Sequence, residues 1–309
     1  MNFSKLKEIP KEEYLASGHV ACQGCSATLG LRLALKVLGK NTIVINGSGC
    51  MTLLPIYPLT PFKVPWVHLA IENVGAAGIG LYYGLKRRGI DAKILCHVGD
   101  GATYDIGLQS LSAAAEQNID MIYICYNNQS YGNTGHQRAS STPMKSITST
   151  TPSGKLEEQK DLPLIMAAHK IPYVATAVPS YPLDFLNKVE KASKIKGLKY
   201  IDLLTPCPVG WGFDPSNTIK VGELAVQTGI HRLYEIKNSV LTITYVPKKR
   251  KKVAEYLKMQ GRFSHLTKED LEEIQDRVDK EWERLEKEGY SYKLFLGELG
   301  ANKQVNKRY

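Results

Sequence analysis

The sequence predicts an α/β fold: a doubly wound, mostly parallel sheet with a C-terminal extension. Three observations predict it. Short apolar runs recur as continuous rather than alternating stretches, each run ends in turn residues, and a helical pattern follows. Continuous apolar strands interleaved with helices suit a parallel sheet covered on both faces, because neither face meets water. The chain has 309 residues, 43% hydrophobic and 23% charged, enough to bury such a core without disulfides. That composition excludes collagen-like, low-complexity and disordered classes. No apolar run reaches the roughly 20 residues of a membrane span. The polar opening MNFSKLKEIPKEEY is not a signal peptide, so the expected location is the cytoplasm.

Taken in order, the candidate strands are TIVIN (42–46), WVHLAI (66–71), KILCHV (93–98), DMIYICY (120–126), YVATAV (173–178) and KYIDLL (199–204). The helical stretches between them include TLGLRLALKVLG, NVGAAGIGLYYGLKRRG, IGLQSLSAAAEQN and LDFLNKVEKASKIKG. Ligands of such sheets bind at the carboxyl ends of the strands. A polar segment from about 132 to 160 is rich in Ser, Thr and Gly, and a loop of that length is usually functional or disordered. A boundary is expected at 235/236, with residues 1–235 as the ligand-binding domain and 236–309 as a charged tail for subunit docking. Forty Lys+Arg against 30 Asp+Glu give +10, and much of that charge lies beyond 247 in Lys248-Lys249-Arg250-Lys251-Lys252 and KEDLEEIQDRVDKEWERLEKE. No aromatic-interleaved RNA motif or zinc-finger spacing accompanies it. A solvated amphipathic helix is the plain reading, and neither nucleic acid nor membrane is an expected partner.

The chemistry begins at Gly99-Asp100-Gly101, directly after KILCHV, with Asn127-Asn128 ending the next strand. Neighbouring parallel strands thus deliver a carboxylate and a carboxamide to one edge. The glycines allow close backbone approach, and a helix expected from near residue 104 aims its N-terminus at the same place. Hard oxygen ligands beside helix amides suit a diphosphate bound through Mg²⁺ or Ca²⁺.

Six cysteines in such a chain point to metal or redox work rather than disulfides. Cys96 and Cys125 lie in apolar strands and read as core. Cys22, Cys25, Cys50 and Cys207 sit beside Gly or Pro at element ends. Four thiolates suit zinc or a [4Fe–4S] cluster, and spacing alone leaves cluster, zinc and unrelated thiols open. Gly75, Gly78 and Gly80 read as close helix packing, and His97 and His68 as core histidines. Glu72 reads as a helix N-terminal charge, with a cofactor-side role as the alternative.

The Gly-Asp-Gly, followed some 26 residues later by Asn-Asn, resembles the thiamine diphosphate motif. Its context, GDGATYDIGLQSLSAAAEQ…YICYNNQSYGNTGHQR together with VPWVHLAIEN, IPYVATAVPSYPLD and PCPVGWGFDP, resembles the β subunit of the 2-oxoacid:ferredoxin oxidoreductases from about Ser17 to about Glu235. The resemblance implies the diphosphate-binding domain of the thiamine diphosphate-binding fold. Gly49, Cys50, Gly99, Asp100, Gly101, Ala102, Asn128 and Ser130 would then line the cofactor. Mg²⁺ (or Ca²⁺) would be held by the side chains of Asp100 and Asn128 and the carbonyl of Ser130. Asn133 would face the substrate and the thiazolium carbon as the catalytic residue. One [4Fe–4S] cluster would sit on Cys22, Cys25, Cys50 and Cys207. The implied reaction is oxidative decarboxylation of a small 2-oxoacid, with or without CoA, releasing CO₂ and passing electrons one at a time to ferredoxin. The implied partners are an α-type subunit supplying the pyrimidine-activating glutamate, a ferredoxin-like subunit and external ferredoxin, in a dimer of hetero-oligomers.

The chain departs from that family pattern in one direction. It reads Cys25-Ser26-Ala27 for Cys-Gly-Glu, Gly49-Cys50-Met51-Thr52 for Gly-Cys-x-Glu, and Tyr126-Asn127-Asn128-Gln129 for Tyr-Asp-Asn-Glu. Four carboxylates become neutral, and Gly132 and His136 alter the adjoining loop. At an effective dielectric of about 20, one charge about 8 Å away is worth roughly 2 kcal/mol. The depletion favours a dianion, so oxalate stands beside pyruvate, the usual substrate of the family. The alternatives are a 2-oxoglutarate or branched-chain enzyme of the same family, a non-enzymatic zinc-binding interaction protein, and a thiamine decarboxylase or synthase without iron–sulfur chemistry.

Overall fold

A computed structural model describes residues 3–56 and 58–294. All six expected strands form: β1 (Thr42–Gly47), β2 (Trp66–Leu69), β3 (Lys93–Gly99), β4 (Met121–Asn127), β5 (Tyr173–Ala177) and β6 (Leu198–Leu204). Three more follow, β7 (Leu233–Lys237), β8 (Val240–Tyr245) and β9 (Ser291–Lys293). They make one sheet in the order β2-β1-β3-β4-β6-β5-β7-β8-β9. The pairs from β2 to β5 are parallel, and β5–β7, β7–β8 and β8–β9 are antiparallel.

Every residue of β4, β5 and β6 is buried; the two charged ones, Lys199 and Asp202 of β6, are paired with Asp120 and Asn127. Helices cover both faces. On one face, α1 (Ser26–Leu38) and the later α5 (Pro182–Lys194) pack against the sheet. Leu31, Ala34, Leu35 and Leu38 of α1 recur at helical spacing and are buried. The other face takes α2 (Val74–Arg87), α3 (Leu108–Glu116), α4 (Leu162–Ala168) and Trp282 and Leu285 of the final long helix. The helix expected near 104 begins earlier, as a π-helical turn over Gly101–Ile106 that leads into α3.

The short helices α6 (Pro208–Trp211), α7 (Thr218–Gln227) and α8 (Val253–Leu257) share a third apolar cluster around Trp211, Val221 and Phe263. Helix α9 (Lys268–Glu288) opens with a reciprocal cap: the Thr267 hydroxyl accepts from the Asp270 N–H (3.2 Å) and the Asp270 carboxylate accepts from the Thr267 N–H (2.9 Å). Among the described residues no helix is long and apolar enough to cross a membrane.

The expected boundary at 235/236 falls inside β7, where Glu235 pairs with Ala175 and Ile236 with Val174. The segment up to Leu294 therefore continues the same sheet. Its strands LYEIK and VLTITY are mixed in polarity because, near the antiparallel end of the sheet, they are only partly buried, and that compositional change reads as a tail in the sequence. Residues 295–309 of the expected tail lie outside the described residues.

Trp282, 1% exposed, donates its indole N–H to the Gly229 carbonyl at 3.0 Å. Trp282→Ala should cost about 3–5 kcal/mol, read as a lowered denaturation midpoint. A change within error would mean that α9 does not hold the sheet.

Candidate active site

The register of β3 and β4 builds the site. Gly99 pairs with Tyr126, so Asp100 and the turn Asn127–Ser130 leave the sheet side by side. Asp100 is 1% exposed. Its Oδ1 accepts from the Asn128 N–H (3.2 Å) and its Oδ2 from the Ser141 hydroxyl. Burial pushes its carboxyl up to about 7, against the opposing pull of these hydrogen bonds.

The Asn128 side chain completes an oxygen cluster. Its Oδ1 as placed lies 2.8 Å from the Ser130 carbonyl oxygen and 2.9 Å from Asp100 Oδ1, with no donor between them. Two arrangements satisfy those atoms: rotation of the amide, or a cation held among the three. One carboxylate, one amide oxygen and one carbonyl are hard donors of the kind Mg²⁺ shares with phosphate oxygens. Gly101 is needed here, since a Cβ would lie 2.5 Å from the Tyr131 ring.

Neighbouring groups hold the turn. Asn127 donates to Asp202 Oδ1 (3.0 Å) and accepts from the Gln129 N–H (3.1 Å). Asp202, fully buried on β6, also accepts from Tyr104 (2.7 Å) and Tyr200 (2.8 Å), and burial raises its pKa. Trp211 Nε1 donates to the Asn128 carbonyl (2.7 Å), and Arg262 Nη2 donates to Gln129 Oε1 (2.7 Å). The polar 132–160 segment is folded over the turn. Thr142 donates to the Gln129 carbonyl (2.7 Å), and buried Lys155 donates to the Thr142 carbonyl (2.8 Å).

The four cysteines converge beside this edge. Burial, reinforced by the Cys207, Cys25, Asp100 and Cys22 charges, pushes the Cys50 thiol up to about 12. Cys207 rises to about 11, again through burial first. Three of the sulfurs accept hydrogen bonds: Cys25 from Thr28 (3.3 Å), Cys50 from Asn128 Nδ2 (3.7 Å) and Cys207 from the Gly210 N–H (3.4 Å). Among the described residues no three His, Cys, Asp or Glu side chains gather as a single-ion site. The ligands of an iron–sulfur cluster bond different irons and therefore stand farther apart than those of one zinc.

Comparison with known proteins places this strand edge within a family. Residues 47–203 match the family model "Thiamine pyrophosphate enzyme, C-terminal TPP binding domain". The pyruvate synthase subunit PorB of Methanothermobacter marburgensis is 51% identical over 88% of this chain and 97% of its own length. The ketoisovalerate oxidoreductase subunit VorB of Pyrococcus furiosus is 44% identical over 93% and 96%. The chain belongs to the β subunits of the 2-oxoacid:ferredoxin oxidoreductases. It is an oxidoreductase subunit built on the thiamine pyrophosphate-binding domain. A structure titled 2-oxoglutarate:ferredoxin oxidoreductase, from Magnetococcus marinus, shares the fold: TM-score 0.58 and 21% identity, covering 88% of this chain and 98% of that one. The non-enzymatic zinc-protein alternative ends with this membership.

The predicted residues are distributed as follows. Gly99, Asp100, Gly101, Ala102, Asn128 and Ser130 meet at one edge, with Gly49 and Cys50 beside them through the Asn128–Cys50 contact. A Cβ at Gly132 would lie 2.8 Å from Asn128 Nδ2 and 3.1 Å from Cys50 Sγ, so the loop closes on both. Asn133 is exposed on the following turn. His97 is buried, whereas His68 is exposed on the edge strand β2, against Ser48 (3.1 Å) and Thr52 (3.2 Å). A Trp–His alternation at the end of a sheet cannot by itself distinguish edge from core. Sequence reasoning passed over Ser141, Asp202, Trp211 and Arg262. Trp211 lies inside the PCPVGWGFDP stretch, and the other three carry no local motif.

A carboxyl raised on folding contributes stability that is complete below its unfolded pKa, about 4, and lost as pH rises through about 7. In the metal-free protein Asp100→Asn should therefore gain on the parent between pH 5 and pH 8, by a few kcal/mol at most. Thermal melts at the two pH values measure it. A parent that loses no stability relative to Asp100→Asn as the pH rises would contradict the burial of this group.

Proposed function

We propose that this chain is the subunit holding thiamine diphosphate, its divalent cation and one [4Fe–4S] cluster in a pyruvate-type 2-oxoacid:ferredoxin oxidoreductase complex. The observation that carries the reading is that Asn128 touches both centres: its amide oxygen meets Asp100 and Ser130, and its Nδ2 faces Cys50 at 3.7 Å. Asp100, Asn128 and the Ser130 carbonyl hold Mg²⁺ or Ca²⁺, and Cys22, Cys25, Cys50 and Cys207 hold the cluster. When bound, the thiamine supplies an electron sink for decarboxylation of the 2-oxoacid, and the cluster supplies a one-electron acceptor. The chain's own residues position these groups. Ser141 and the Asn128 N–H orient the Asp100 carboxylate, Asp202 fixes Asn127 and thereby the turn, and the 132–160 loop excludes water from it. Binding the cation drives off the Asp100 proton, and binding iron drives off the thiol protons.

Asn133, exposed beside Gly132, faces substrate in this reading and is covered by a partner. The partner is an α-type subunit that supplies the glutamate for the aminopyrimidine. The complex is a dimer of hetero-oligomers that passes electrons through a ferredoxin-like subunit to external ferredoxin. The segment beyond residue 236 contributes to subunit docking through its exposed side.

The substrate is pyruvate, supported by the PorB relatives; the 44% identity to a ketoisovalerate oxidoreductase subunit favours a branched-chain 2-oxoacid as the second reading. The relatives give oxalate no support, and the charge argument for it loses its footing in the fold. Ala27 is buried in α1, and Thr52 sits at His68. Asn127 binds the Asp202 carboxylate, and Gln129 binds Arg262. Each neutral replacement meets a neighbour within the chain, and the one positive charge this leaves, on Arg262, is buried against Gln129 and not open to a substrate.

Two measurements test the proposal. The anaerobically purified complex should reduce viologen with pyruvate and CoA, with 2-oxoisovalerate slower and oxalate inert; an oxalate-dependent rate matching pyruvate would reverse the substrate reading. Asp100→Ala should weaken thiamine diphosphate binding by about tenfold or more, and Cys50→Ser should lower the iron and sulfide content of the complex. Full iron content in Cys50→Ser, or unchanged cofactor affinity in Asp100→Ala, would remove the corresponding ligand.

A further inference from the structure

Arg262 is a buried cation with no anion beside it. It is 6% exposed, and burial pulls its pKa down to about 10, which leaves the guanidinium charged at neutral pH. Its partners are all neutral. Nη2 donates to Gln129 Oε1 at 2.7 Å and Nε to Gln260 Oε1 at 2.9 Å, and Tyr256 also bonds it. The guanidinium carbon stacks 3.8 Å from the centroid of the Trp211 ring. No carboxylate among the described residues pairs with it. A buried charge without a counter-charge is costly, and it persists where something beyond these neutral contacts compensates it.

Its position identifies the compensating anion. Trp211 ends helix α6, whose N-cap is Cys207, and the Trp211 N–H donates to the Cys207 carbonyl at 2.9 Å. The segment carrying Arg262 is pinned to that helix by the Gly261 N–H, which donates to the Gly212 carbonyl at 3.0 Å. From the other side Arg262 holds Gln129, the residue between Asn128 and Ser130. The ionisable groups whose charge would reach the guanidinium are Tyr256, which already bonds it, and then Cys207 and Asp100. Arg262 therefore stands between the thiolate end of the proposed cluster and the proposed cation site, tied to a scaffold residue of each.

We infer that Arg262 is a positioning residue that supplies the fixed counter-charge of the cluster, raising its reduction potential so that it accepts electrons more readily. The inference rests on the cluster assignment above. Reduction adds one electron, hence one negative charge, and neither makes nor breaks a bond; a fixed positive charge nearby favours the reduced form, since net charge is among the factors that set cluster potentials. Gln129 matters to this. A glutamate there, the residue of the family pattern, would pair with Arg262 and cancel its charge locally, whereas glutamine leaves the charge available to the sulfurs.

The test is an anaerobic redox titration of the assembled complex followed by electron paramagnetic resonance, with the signal of this cluster assigned by its loss in Cys207→Ala. Gln129→Glu, which leaves Arg262 in place, and Arg262→Met should both shift the midpoint potential to more negative values. Arg262→Lys, which keeps the charge and loses the planar stack, should stay near the parent. A potential unmoved by Gln129→Glu in a complex that retains its iron overturns the inference, as does an equal fall in Arg262→Lys and Arg262→Met, which would assign the effect to shape. A parent complex with no signal lost in Cys207→Ala overturns the cluster assignment itself, and the inference with it.

Discussion

The structure is organised around a carboxylate buried at the end of a parallel strand. Asp100 cannot be solvated where it lies, and an uncompensated buried charge is among the costliest features a fold can carry. What surrounds it supplies acceptors and donors at fixed positions: the Asn128 N–H, the Ser141 hydroxyl, and an amide oxygen and a carbonyl oxygen turned toward the same point. Ser141 comes from a loop that would otherwise be a long polar excursion. That loop is ordered because its own groups are satisfied inward, with Gln159 donating to the Ser141 carbonyl (2.6 Å) and Lys155 to the carbonyls of Thr142 and Glu158. The ordering of nearly thirty residues and the burial of one acid are thus the same problem solved once.

Rigidity comes from the sheet. The β3–β4 register places the Gly-Asp-Gly and the Asn-Asn together, and β6 locks the second of them from its far side through Asp202. A hydrogen-bonded carboxylate inside the protein is strong because the local dielectric is low, and costly if any partner is lost. Tyr104, Tyr200 and Asn127 all donate to Asp202, so its charge is shared and the turn beyond Asn127 has little freedom. Precise placement of ligands for a hard cation needs that kind of support, since Mg²⁺ tolerates small departures from octahedral geometry poorly.

The parallel half of the fold was legible because its central strands are buried on both faces and therefore mostly apolar. The antiparallel half was not, because LYEIK and VLTITY carry the mixed polarity of partly buried strands, and Lys and Glu in the following helix mask the two residues, Trp282 and Leu285, that anchor it. At the site, the residues that share a motif were legible: short spacings along two adjacent strands translate directly into proximity. Ser141, Asp202 and Arg262 were not, since each reaches the site from a separate element and is defined only by its partner. Arg262 lies 133 positions from Gln129, and no local pattern encodes such a pairing.

The same distinction explains why counting charges along motifs misleads. Replacing a carboxylate by its amide removes a charge from the sequence, but its effect depends on which group faces it. Asn127 faces Asp202, so a second carboxylate there would have set two acids about 3 Å apart, and such a pair keeps one member protonated. Amide and acid at that position therefore differ little in net charge and much in hydrogen-bond direction, because the amide donates where a shared proton would otherwise be needed. Gln129 faces a cation instead, so there the loss of a carboxylate leaves a positive charge unneutralised. Two substitutions of the same chemical kind, two residues apart, thus have different electrostatic consequences, and the difference is set by strands and helices distant in the chain.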